Sequence, residues 1–367
     1  MEEQNIFNGQ LSRRRFIGYT SAAAIYTVIP PIISGCTSKS GTKPDSTFGG
    51  VKIGAITYSF RELPGTNAED TLNYLVQCGL SNCELMSGPI EESAGAPVIN
   101  FTELMSKFMQ PRPEESRDSI PQGNQGAPRD SVPGSRRRQP EFEMPPEFRQ
   151  ALEEKQKEVT EWRKNCTSLT KFQEIRDMFN KAGVKIHIVK FDNIGAETVS
   201  PEEHEYMFKV AKAMGAKGIT TELDEKKAAK LAPLAKEHGI YIVFHNHTQL
   251  TPTTYSSGPY FSYGKYIMSN LDIGHFAAGT GQSALPLVKE LAEEKRLFSI
   301  HLKDRTFGGD TVPFGQGDAQ VAEILKMIQK NKWNIYCDIE LEYPIPEGSD
   351  PLIETKNCVE FCRNVLS

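Results

Sequence analysis

The chain has 367 residues, enough for one large domain or two ordinary ones, and its 38% hydrophobic content can build a sizeable core. A formal net charge of −5 gives no electrostatic reason to bind nucleic acid or an anionic membrane surface. None of the seven cysteines forms a C-x-x-C pair, which excludes the common thiolate zinc and redox motifs.

In chain order, residues 1–36 read as a targeting segment. Ser12-Arg13-Arg14-Arg15-Phe16-Ile17 resembles a twin-arginine export signal, and Ile33-Ser34-Gly35-Cys36 resembles a lipobox whose cysteine is acylated. The weakly apolar stretch between them is short for a membrane span and holds Pro30 and Pro31. The expectation is therefore a periplasm-facing protein that meets the membrane only through a lipid at Cys36. Residues 37–50 follow as a flexible tether. The remaining six cysteines, including Cys358 and Cys362 on one helix, read as buried thiols.

From Val51 onward, β-like and helical patterns alternate. The sequence predicts strands at Lys52–Thr57, Asn82–Met86, Val184–Phe191, Lys217–Glu222, Ile240–His245, Ile267–Asp272, Phe298–Leu302 and Ile335–Glu340. Asn67 caps a helix running to about Gln77, and Ser200-Pro201-Glu202-Glu203 carries a capping box with proline at the first helical position. Pro233 should kink the helix from Asp224 to His238, and Pro351 opens the last helix. Between residues 87 and 146, proline, glycine, serine and charged residues dominate. That composition predicts a disordered insertion in the second βα loop. A charged, helical stretch, Pro146–Lys164, follows it.

Eight apolar strands separated by helices predict a parallel sheet covered by helices. Without the insertion, residues 51–367 approach the roughly 250 residues of a (β/α)8 TIM barrel. A doubly wound open sheet is the alternative, but no glycine-rich phosphate fingerprint follows the first strand.

In a barrel, the strand ends converge on one mouth, which would gather Arg61, Glu84, Lys190, Glu222, His245, His247, Asp272, His275, His301, Lys303, Glu340 and Glu342. Carboxylates and imidazoles crowded together suit one divalent ion such as Mn²⁺, Zn²⁺, Co²⁺ or Mg²⁺. His187, His204 and His238 read as structural.

These strand-end motifs resemble the xylose isomerase-like barrel superfamily of sugar isomerases and epimerases. Asp272 in Asp-Ile-Gly-His, His301 in His-Leu-Lys-Asp and Glu340 in Ile-Glu-Leu-Glu-Tyr match the family's metal ligands. The family's strand-five glutamate is replaced by His245, in His245-Asn246-His247. The resemblance implies a metal set drawn from Glu222, His245, Asp272, His301 and Glu340, with Glu222 and His245 as alternatives for the fourth place. It implies catalytic roles for Glu340, His245, His247 and Lys303, and substrate contacts from Arg61, Glu84 and His275. The implied activity is proton abstraction beside the carbonyl of a keto-sugar or polyol derivative, giving isomerisation or epimerisation, with elimination from a 3-keto-glycoside as a variant. The implied partner is a small sugar, with no nucleic acid, and a homo-oligomer is compatible with it. An AP-endonuclease-type phosphodiesterase and a non-catalytic sugar-binding lipoprotein are the competing readings. The absence of a basic balance counts against the first, and the missing strand-five glutamate favours the second.

Overall fold

Eight parallel strands close on themselves. In the computed structural model, which describes residues 43–99, 104, 107, 108 and 145–367, they are β1 (Val51–Ile56), β2 (Asn82–Met86), β3 (Lys185–Lys190), β4 (Gly218–Glu222), β5 (Tyr241–His245), β6 (Ile267–Asp272), β7 (Leu297–Leu302) and β8 (Tyr336–Ile339). Each pairs with its sequence neighbour, and β8 pairs with β1. Helices alternate with the strands, so the fold is the (β/α)8 TIM barrel expected from the sequence. Strand limits differ from the sequence reading by at most one residue. Thr57 opens a 3₁₀ turn, Thr57–Phe60, instead of ending β1.

The chain divides into two compact units. One comprises residues 39–97 and 159–367 and holds the barrel; the other comprises residues 1–38 and 98–158, described at residues 98, 99, 104, 107, 108 and 145–158. The twin-arginine motif and Cys36 lie outside the described residues, as does most of the predicted insertion. Its first residues are a correction to the sequence reading: Ser87–Ser93 is a helix, and Ile90 and Glu91 on it are buried. Among the described residues, no helix is long and apolar enough to cross a membrane, and six cysteines are free thiols.

Local signals work as read. Asn67 accepts from the Asp70 backbone, and Ser200 and Glu203 exchange both bonds of a capping box. The helix Glu225–His238 runs continuously through Pro233, and Asp224 caps it. Arg163, in the last turn of Pro146–Asn165, forms a two-pronged pair with Glu91 at 2.8 Å, which Tyr206 also bonds. The three histidines read as structural are engaged away from the mouth motifs: His204 with the backbone of Ser200 and Gly195, His238 with Glu205, and His187 with Asp338.

Outward-facing strand residues such as Ile53, Cys83, Leu85, Ile219 and Ile300 pack in the apolar core. The barrel interior holds polar contacts. His187 on β3 reaches Asp338 on β8 at 2.8 Å, although β1 and β2 lie between those strands in the sheet, so the contact crosses the lumen. Gly54 makes room for it, since a Cβ there would stand 2.2 Å from Asp338 Oδ1.

Candidate metal centre

Four donors come together where β5 to β8 end. His245, Asp272, His301 and Glu340 each offer an atom within 4.8 Å of the others, and all four are buried. The sequence places them by strand alternation, one per adjacent strand. Asp272 ends β6 and caps the next helix, accepting from the His275 backbone N–H at 2.6 Å. Asn246 holds the turn after β5 against β6: it accepts from the Asp272 N–H and donates to the Asp272 carbonyl. Gly274 in the Asp-Ile-Gly-His motif is required by space, because a Cβ would lie 2.6 Å from the Lys303 carbonyl oxygen.

His301 lies between two acids. Its Nδ1 faces Glu340 Oε2 at 2.8 Å and its Nε2 faces Glu84 Oε2 at 2.9 Å. Burial opposes its charge, but Glu84 and Glu340 together outweigh burial and raise its pKa well above the usual histidine value. The same contact works on Glu84: burial would raise its carboxyl, and His301, Lys190 and His187 bring it below the usual range. His245 is the opposite case. Burial first, then His301, keep it neutral, and its Nδ1 is buried without a hydrogen-bond partner.

Lys303 supplies the positive charge. Its ammonium, 2% exposed, lies 3.0 Å from Asp272 Oδ2, 3.0 Å from Glu340 Oε2 and 2.9 Å from Glu342 Oε2. Burial acts against the charge, and the three acids raise the lysine pKa despite it. Burial, and then Lys303 and His301 against it, leave Glu340 well below the usual carboxylate value. Asp272 is pushed up to about 6, by burial and by Glu340, with Lys303 opposing.

The donor set suits a divalent ion. Two imidazoles and two carboxylates from rigid strand ends form a mixed nitrogen and oxygen seat, and the buried His245 Nδ1 has no hydrogen-bond partner. His301 carries the outer carboxylate that metal-bound histidines usually have, here Glu84.

Several expected roles change. Glu84 is fully buried beneath His301 and also accepts from Asn270 at 3.0 Å, so it orients a ring where a substrate contact was expected. Glu222 is not one of the four donors: Lys190 holds its Oε1 at 2.9 Å, and its Oε2 lies 3.6 Å from His247 Nε2. Arg61 spends its Nη1 on the backbone oxygens of Tyr58 and Leu341, and its guanidinium lies over the Tyr58 ring. His247, with a side chain 56% exposed, stands at the mouth with ring centroids 5.2 Å from His245 and 4.8 Å from His275. His275 meets Lys303 Nζ at Nε2 and Arg305 Nη1 at Nδ1; burial, then Lys303, push its pKa down to about 2.

Asn246, Asn270 and Arg305 received no role from the sequence. Asn270 donates to Glu84 and lies 2.9 Å from His301 Nε2. Its position two residues before Asp272, on the same strand face, was the available signal.

No protein-family model matches the chain, and no curated protein matches its sequence. Solved structures do match. A probable 3-DHS dehydratase involved in petrobactin synthesis, from Bacillus anthracis, superposes with a TM-score of 0.53 at 11% identity, over 84% of this chain and 98% of that one. A xylose isomerase domain protein from Alicyclobacillus acidocaldarius gives 0.51 at 10% identity, over 86% and 98%. At such identities the likeness shows the shared barrel fold.

Proposed function

We propose that the chain is a divalent-metal-dependent enzyme that moves a proton beside the carbonyl of a sugar derivative, as an isomerase or epimerase. The observation that carries this is the four-donor group His245, Asp272, His301 and Glu340 at the ends of four adjacent strands. The chemistry that a bound divalent ion supplies there is polarisation of a carbonyl and its neighbouring hydroxyl. Glu340, kept ionised by Lys303 and His301, is the base that removes the acidified α-proton. Lys303 holds its ammonium beside that carboxylate and stabilises negative charge growing on the substrate oxygen. His247, exposed and outside the four-donor group, returns a proton from the mouth side. Delivery to the other face of the same carbon gives an epimer, and delivery to the adjacent carbon gives an isomer. A β-leaving group, where present, would depart by the same acidity. The printed dehydratase description of the Bacillus anthracis neighbour is compatible with that variant. Export by the twin-arginine motif and acylation at Cys36 belong to the same reading, and the mass of the mature N-terminus tests them.

The variant Asp272→Asn tests the seat. It keeps the Oδ1 acceptor that caps the following helix and removes the charge. Wild-type protein should bind one divalent ion per chain and Asp272→Asn should lose it. Equal metal content in both would overturn the assignment.

A further inference from the structure

Among the described residues, Arg305 is a fixed cation at the mouth that the reaction above does not use and that no acid pairs with. Arg305, two residues beyond Lys303, begins the short hairpin formed by Asp304–Arg305 and Thr311–Val312. Asp304, its neighbour, is not ion-paired with it: the Asp304 carboxylate accepts the backbone N–H groups of Gly315, Gly317 and Ala319. Among the described residues, no carboxylate lies within ion-pair distance of Arg305, whereas Lys190 and Lys303 are each paired with acids.

The guanidinium is nevertheless fixed in place. Nη1 lies 2.6 Å from His275 Nδ1, Nη2 donates to the Gly309 carbonyl oxygen, and Nε is buried with no partner. Five N–H donors thus have two acceptors. His275 adds to the surplus. A neutral imidazole accepts through one nitrogen only, and Lys303 stands 3.0 Å from its other nitrogen. A partly buried, unpaired charge with an orphaned donor is costly unless a ligand completes it. A planar fork of this kind fits a carboxylate or phosphate.

We infer that Arg305 is the anion subsite of the mouth: it takes an oxyanion carried by the sugar, a carboxylate or a phosphate, while the carbonyl end lies toward Asp272 and Glu340. This rests on the reading of the mouth as a sugar site and narrows the substrate to acidic sugars. His275 is then a positioning residue that holds the fork between the anion and Lys303.

The test is calorimetric titration of the full protein with D-glucose, D-glucuronate, glucose 6-phosphate and inorganic phosphate, in wild type, Arg305→Gln and Arg305→Lys. In wild type, at least one acidic sugar should bind about 10- to 100-fold more tightly than glucose, the range expected for a charge-assisted contact. Whichever acidic sugar binds more tightly identifies the anion. Arg305→Gln should erase the preference, and Arg305→Lys should restore only part of it, because lysine keeps the charge without the fork. Equal binding of charged and neutral sugars by wild type, or an undiminished preference in Arg305→Gln, would overturn the subsite, as would failure of every anion to bind. If inorganic phosphate binds in an Arg305-dependent way while no sugar does, the sugar reading falls and the anion subsite stands.

Discussion

Replacing Glu84 by glutamine separates a carboxylate that tunes His301 from one that meets a substrate. Glutamine keeps the volume of a fully buried side chain and can still accept from His301 Nε2, so the perturbation is the loss of one charge 2.9 Å from that nitrogen. Two effects follow. Loss of an outer carboxylate typically weakens metal binding about 10- to 100-fold, or about 1.4–2.7 kcal/mol. Glu84 also helps to raise the His301 pKa, so without it the ring loses its proton at lower pH. The sign for metal binding is then fixed: a ring charged below its folded pKa must release a proton before it can bind an ion, so apparent affinity rises with pH up to that pKa and then levels off. In Glu84→Gln, the rise should be centred at lower pH and the plateau should be about 10- to 100-fold weaker. At neutral pH the two effects partly cancel. The assay is calorimetric titration with Mn²⁺ or Zn²⁺ from pH 6 to 9.5, in buffers of different ionisation enthalpy, which also counts the protons released. A plateau and a pH midpoint both equal to wild type would refute the argument that Glu84 acts through His301.

Two stability predictions concern the scaffold. Gly54→Ala puts a methyl group 2.2 Å from Asp338 Oδ1 and 2.9 Å from the Asn82 carbonyl oxygen, so urea unfolding should show a loss of about 1–3 kcal/mol, and wild-type stability would show that the His187–Asp338 contact has slack. Arg163→Met leaves the buried Glu91 without its two-pronged partner, and the same measurement should show a loss of about 3–5 kcal/mol; a change below about 1 kcal/mol would mean that Tyr206 and water suffice to hold Glu91.

The strands and their order were legible because each is a short apolar run bounded by turn and cap residues, and the polar residue ending each run marks the mouth. Asp272, His301 and Glu340 were legible in the same way, as polar groups in phase with the lumen face of their strands. The outer residues were harder. Strand phase puts Glu84 at the mouth and Asn270 on the face of Asp272, but their partner, His301, comes from another strand and is met only in the folded barrel. Glu222 was one of two candidates for the fourth place: strand phase puts it at the mouth, and only the folded barrel shows that Lys190 on β3 pairs with it there. Arg305 escaped notice because its meaning lies in missing acidic neighbours, which is a property of the folded surroundings. The helix Ser87–Ser93 was hidden by the composition of the segment that follows it.

The central claim is metal-dependent removal of a proton beside a carbonyl, and solvent deuterium exchange into a keto-sugar reads that step without knowledge of the final product. Purified protein should be incubated in D₂O with a keto-uronate such as D-fructuronate and with D-fructose, before and after chelation and after a divalent ion is restored. The account predicts deuterium at the carbon beside the carbonyl, lost on chelation, regained with the ion, and abolished in Glu340→Gln. Exchange that survives both chelation and Glu340→Gln would contradict it, as would tight sugar binding with no exchange in the metal-loaded protein.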